Sequence, residues 1–415
     1  MAKFKKPSVY FVAGSLLIFL VIQGLISTGT LNDYWKGIIF WGGAITIVTL
    51  GLNLIYGFNG QFSLGQYGFY GIGAYGSAYV TYHWVRGDPA AMVVALFGSL
   101  LVIGLYAALA WGLRRFYGVT VKARFTFYLI ITILGFWASV VVLVPLLGPM
   151  MWGFFAALPE AVAQPLVFFL ALISGGMLAG ITSFLFGLPV LELGSDYFGI
   201  ATLGFTIIVK VLLDNTDTIL PFPAMKGARG MLGIPRWTTW AWVFGTLFVV
   251  IVIMRNLLHS SVGRAIVSVR EDERAAELVG IDVANAKILA FVLGSVFAGV
   301  AGGLRAHDIT FLHPQSFHFI QSFNPLIIVV FGGLGSITGT VFTGFLWIVL
   351  LEGVLRLFLP SGYETWRFVI YPLILLMMML LRPEGLFGTY ELPFLRAAHV
   401  AKRQAIAQKP EEVPV

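Results

Sequence analysis

Five neutral polar side chains, Asn53, Asn59, Gln61, Ser63 and Gln66, fall within one stretch from Gly51 to Gly76. Gly57, Gly60, Gly65, Gly68, Gly71, Gly73 and Gly76 interleave with them. Glycines at this density let backbones pack closely or break a helix, and a broken helix bares its amide groups. Bared N–H groups and half-helix ends can hold the carboxylate and ammonium of a zwitterion without full charges. Helix packing is the alternative reading for any single glycine. Thr202 and Asn324, in two other short apolar stretches, are further candidates for a substrate pathway.

A second constellation is charged. Between Arg255 and Lys287 runs the longest charged stretch between apolar segments, with Gly263, Arg264, Arg270, Glu271, Asp272, Arg274, Ala275, Ala276, Glu277 and Gly280. Asp272 to Gly280 reads as a short amphipathic helix, with Gly280 at the position after its end. Ala275, Leu278 and Val279 form its apolar side, and charges take the other face. A helix this short is marginal in isolation, so a partner is expected to pack on it.

Other chemistry is absent from the sequence. There is no G-x-x-x-x-G-K-[ST] loop for ATP, no H-E-x-x-H and no G-x-S-x-G. The chain contains no cysteine, which removes disulfides and thiolate metal sites. His307, His313 and His318 lack a metal-ligand spacing and read as loop histidines. No catalytic residue, metal or cofactor is expected, and any energy source must be an ion gradient or a partner. Few titratable groups stand near membrane depth: Glu352, Glu192, Asp196 and Lys210. A lone Glu352 reads as a structural exception.

The elements that carry these residues follow from composition. Of 415 residues, 59% are hydrophobic and 11% charged, with mean hydropathy +0.91; soluble domains average about 25% charged. So much apolar surface needs lipid around it, and the fold class is all-α and polytopic. About twelve helical segments are expected, near 9–28, 36–57, 62–83, 90–112, 125–148, 165–188, 197–213, 238–256, 287–305, 322–336, 338–359 and 364–381. Those at 62–83, 197–213 and 322–336 are short or glycine-rich enough to be broken or re-entrant. Most lysines and arginines fall at 1–8, 113–124, 255–287 and 382–415, which places both termini in the cytosol. The first apolar run lacks an A-x-A-like cleavage site and reads as a retained helix. Residues 1–388 form the membrane domain, and 389–415 reads as a polar, disordered cytosolic tail. The net charge of +7 reads as topology, not as nucleic-acid binding.

The charged stretch resembles the coupling loop of ABC importer permeases, whose core is E-A-A-x-x-x-G. Arg274, Ala275, Ala276 and Gly280 occupy that pattern, with Arg where Glu is usual and Glu273 adjacent. Asn53–Gly57 through Gly65–Gln66, Leu191–Phe205, Gly263–Asp282, Phe331–Gly339 and Arg382–Gly388 are similar to the Liv-type branched-chain amino acid permeases, over most of 40–390. Residues of about 113–165 look like an insertion. The resemblance implies a membrane subunit of an ATP-driven importer in a bacterial inner membrane. It would pair with a second homologous permease and with two ABC ATPase subunits docked below. A periplasmic or lipid-anchored binding protein would deliver the substrate. The alternative is the same kind of permease for urea, short amides or other amino acids; an ion-coupled carrier is the third reading.

Overall fold

Helices dominate because a long apolar run in lipid satisfies its own backbone groups as a helix. The computed structural model describes residues 5–113, 121–191, 195–218, 222–355, 366–388 and 390–395. The architecture is all-α, with one two-stranded antiparallel ladder that pairs Met231 with Leu312 and Leu232 with Phe311.

In chain order the helices are α1 (Lys5–Ser27), α2 (Asp33–Phe58), α3 (Gln66–Val85), α4 (Ala90–Gly112), α5 (Lys122–Ala156), α6 (Glu160–Val190) and α7 (Ser195–Asp214). Then follow α8 (Trp240–His259), α9 (Ser261–Glu271), α10 (Glu273–Leu278), α11 (Val283–Ile309), α12 (Phe323–Gly332), α13 (Ile337–Trp347) and α14 (Arg367–Leu381). Among the described residues eight helices have the length and apolarity to cross a membrane. The segments expected at 322–336 and 338–359 become α12 and α13. At ten residues, α12 is about 15 Å long, half a bilayer core. Residues 356–365, Glu192 and the side chains of Glu352 and Asp196 lie outside the described residues.

At the centre stands α11, which packs along α2, α3 and α6. Glycine makes this packing possible. A Cβ on Gly73 would stand 2.1 Å from the Gly299 carbonyl oxygen, one on Gly302 2.0 Å from that of Tyr70, and one on Gly51 2.4 Å from that of Gly294. These helices therefore meet backbone to backbone, as small residues permit in membranes. His307 belongs to this core, not to a loop. It is fully buried in α11, with Nδ1 2.7 Å from the Gly303 carbonyl and Nε2 2.8 Å from Thr81 Oγ1. His313 and His318 cap two short 3₁₀ turns.

The stretch read as an insertion is a 35-residue helical run, α5, beside α4 and α6. It passes through a π turn at Ser139–Leu143. Tyr106, Tyr128 and Phe184 join the three helices in one aromatic cluster. Its other face exposes Phe127, Ile133, Leu134, Trp137 and Val140. So apolar and open a surface belongs against lipid or another membrane helix.

Candidate functional site

The last turn of α2 widens into a π turn, Asn53–Phe58, which turns Asn53 into the heart of the bundle. Its Nδ2 donates to the Ser336 carbonyl at 2.9 Å and to Thr340 Oγ1 at 2.8 Å. Its Oδ1 accepts from the Gly335 N–H at 2.9 Å. Asn53 is fully buried, and three bonds tie it to the break between α12 and α13. That break is turned by Gly333 (φ 112°) and Gly335 (φ 81°), where a side chain would strain the backbone. Ser336 is the N-cap of α13 and accepts from the Gly339 N–H at 2.9 Å.

Beyond the π turn the chain is irregular until α3 starts at Gln66, later than the expected 62. Asn59, Gln61 and Gln66 are 2%, 6% and 1% exposed, and both amide atoms of each are buried without a hydrogen-bond partner. Buried polar groups are paired in the great majority of cases, and an orphan costs about 1–3 kcal/mol. Six such atoms in one short segment mark a place built to meet water, substrate or another arrangement of the chain.

The other candidates do structural work. Ser63 Oγ accepts from the Gly65 N–H at 3.3 Å. Thr202 Oγ1 accepts from the Leu64 N–H at 3.0 Å, and Thr206 donates to the Leu64 carbonyl at 3.1 Å. Together they strap this segment to α7. Asn324 donates to Gln321 Oε1 at 2.8 Å and sits at the far end of α12 from the Asn53 cluster.

The charged stretch folds as two helices at one end of the bundle. A Cβ on Gly263 would lie 2.1 Å from the Leu257 carbonyl oxygen, so glycine permits the tight elbow between α8 and α9. In α9, Ile266 and Val269 are buried while Arg264 and Arg270 are exposed. Asp272 caps α10 by accepting from the Ala275 N–H at 3.0 Å. The apolar side of α10 is not the expected one. Ala276 is the buried residue, whereas Leu278 and Val279 stand 88% and 76% exposed, because the short helix rests on the bundle through Ala276. Arg274, Ala275 and Glu277 face solvent, and Gly280 takes φ +85°. Glu273 pairs with Lys287 at 2.6 Å, tying α10 to the first turns of α11.

The two constellations touch through Arg270. Its guanidinium donates to the Gly57 carbonyl, and its stem lies against Gly60. The same guanidinium sits so close to Gly335 that a Cβ there would meet it at 2.8 Å. An unbroken path therefore runs from the charged loop through Arg270 to Gly57, Asn53 and the α12–α13 turn. Thr340 and Glu391 also serve this region and escaped the sequence reading, and Arg255 reads in sequence only as the start of the charged stretch; their partners lie far along the chain.

The sequence model of the family described as "Branched-chain amino acid transport system / permease component" matches residues 34–148 and 146–378. The chain belongs to this permease family. It is 32% identical over 410 residues to the high-affinity branched-chain amino acid transport system permease protein LivM of Escherichia coli (strain K12), covering 91% of this chain and 74% of that protein. It is 27% identical over 405 residues to LivM of Salmonella typhimurium, with the same coverage. The high-affinity branched-chain amino acid transport system permease protein LivH of Escherichia coli (strain K12) is 29% identical over 133 residues, covering 32% of this chain and 42% of LivH. No solved structure matches the chain. Within this permease the two matched segments meet inside α5, while the path from Arg270 to Thr340 lies wholly within them. The permease is thus a multi-pass membrane transport subunit.

Proposed function

We propose that the permease is one membrane subunit of an ATP-driven importer of leucine-type branched-chain amino acids in a bacterial cytoplasmic membrane. A sister permease completes the pathway, two ATPase subunits dock below the pair, one of them on α9 and α10, and a periplasmic or lipid-anchored binding protein delivers substrate on the opposite face. The carrying observation is the joining of the exposed α9–α10 loop, through Arg270, to the segment of unpaired amides at Asn59, Gln61 and Gln66. The named relatives are branched-chain transport permeases, which supports the substrate class. Leu278 and Val279 offer the ATPase an apolar foothold, with Arg274 and Glu277 beside them. The bias of Lys and Arg toward the α9–α10 end and both termini supports a cytosolic location for all three.

In this mechanism, closure of the ATPase pair pushes α9, and Arg270 passes the push to Gly57 and Gly335. The turn at Gly333 and Gly335 moves with that push. The orphan amides then face a passage in which neutral donors and acceptors suit a zwitterion without trapping it. The test is reconstitution of the two permeases, the two ATPase subunits and the binding protein in proteoliposomes. ATP-dependent uptake of labelled leucine, competed by isoleucine and valine, is the expected result. Uptake of urea or a short amide in its place would move the substrate class. Uptake by this chain alone on a proton or sodium gradient would overturn the importer reading.

A further inference from the structure

The helix break between α12 and α13 is closed by a segment that the transport reading leaves unused. Residues 385–388 and 390–395 cross the break and satisfy both of its ends with the correct polarity. On the α12 side, the Leu386 N–H donates to the Phe331 carbonyl at 2.8 Å and the Phe387 N–H to the Gly332 carbonyl at 3.3 Å. On the α13 side, the carboxylate of Glu391, only 7% exposed, accepts from the Ile337 N–H. It also accepts from the Thr338 N–H at 3.1 Å and from the Thr338 hydroxyl at 2.6 Å. Ser336 Oγ donates to the Tyr390 carbonyl at 2.9 Å. Helix ends carry orphan carbonyls at one terminus and orphan N–H groups at the other; this segment supplies donors to the first and an anion to the second, where the helix dipole favours it.

Three residues further on, the segment grips α8. Arg255 Nε donates to the Phe394 carbonyl at 2.8 Å, and its guanidinium lies 4.2 Å from the centre of the Phe394 ring. That ring also stacks on Phe11 of α1, with ring centres 4.4 Å apart. Arg255 stands on the last turn of α8, immediately before the elbow into α9.

We propose that residues 385–388 and 390–395 form a transmission clasp, in which Glu391 is a positioning residue and Arg255–Phe394–Glu391–Ile337 is a second route, parallel to Arg270–Gly57, from the coupling loop to the α12–α13 turn. The inference rests on the importer reading for its consequence in transport, though not for the link itself. A movement at the α8–α9 elbow reaches the turn by both routes, so the turn follows as a body and does not flex.

Two variants test it in the assembled importer. Arg255→Ala leaves every cap on α13 in place, and Glu391→Gln keeps the shape of the side chain while turning an N–H₂ toward backbone donors. Hydrogen exchange over residues 336–340 reads the link without substrate. We expect at least tenfold faster exchange in both variants, and in the double variant no more than in the faster single one. Leucine moved per ATP hydrolysed is expected to fall at least fivefold in each while the ATPase subunits still co-purify. Unchanged exchange at 336–340 in Arg255→Ala, or an unchanged transport ratio in a variant whose exchange has risen, would overturn the clasp. A wild-type complex that hydrolyses ATP without importing leucine would sink the importer reading, and the exchange measurement alone would then decide the link. Should Glu391→Gln fail to assemble, Phe394→Leu, which removes the ring under Arg255 and keeps the carbonyl, takes its place with the same expected results.

Discussion

Gln61 and Gln66 each bury a whole amide without a partner, and this gives them opposite effects on stability and on transport. Replacing either with Met keeps the length and removes the orphan, so Gln61→Met and Gln66→Met should stabilise the permease by about 1–3 kcal/mol. A higher thermal denaturation midpoint in detergent, together with slower leucine uptake, is the expected pair of results. A lower midpoint would show that these amides are paired in the working protein. Asn53 is the contrasting case. Asn53→Ala strips partners from a buried N–H, a carbonyl and a hydroxyl, and should destabilise by about 2–4 kcal/mol, read as a fall in the same midpoint. The polar residues of the glycine-rich stretch were legible as exceptions within an apolar run. Their division of labour was not, because the partners of Asn53 lie at Gly335, Ser336 and Thr340, and no local pattern announces a contact across that separation.

The α9–α10 loop was the most legible element, since charge between apolar runs identifies it without knowledge of the fold. What the pattern missed was orientation: a helix of six residues rests on a single buried side chain, Ala276, and Leu278 and Val279 are left outward. Leu278→Asp combined with Val279→Asp should therefore change folding stability by less than about 0.5 kcal/mol and abolish co-purification of the ATPase subunits. Retention of those subunits by the double variant would place docking elsewhere. Gly263→Ala acts by another cause. Its Cβ would overlap the Leu257 carbonyl, so the elbow must open, and co-purification should fail although no docking residue has changed. The half-length α12 was readable from the shortness of its apolar run. The described part of the expected tail, 390–395, is packed across the helix break, and it looked polar in sequence because Glu391 is buried as a cap, a role that composition does not reveal.

At the scale of the whole molecule, an all-α membrane bundle followed directly from hydropathy, while the placing of α11 at its centre did not. Periodicity gives the face a helix buries and is silent on which helix faces it. The answer lies in the glycine contacts: Gly73 on Gly299, Gly302 on Tyr70 and Gly51 on Gly294. Gly302→Ala should cost about 1–3 kcal/mol or more through overpacking, seen as loss of folded protein on size-exclusion chromatography; a well-folded variant would mean that α3 and α11 separate readily. These backbone contacts also bear on how sequences of this kind diverge. A leucine core can drift by exchanging volume between neighbours, one side chain growing as another shrinks. A seam of main chain against main chain holds no volume to exchange, so a saturation scan should find alanine there nearly as damaging as tryptophan, with no compensating second site, while the outward face of α5 accepts almost any apolar residue.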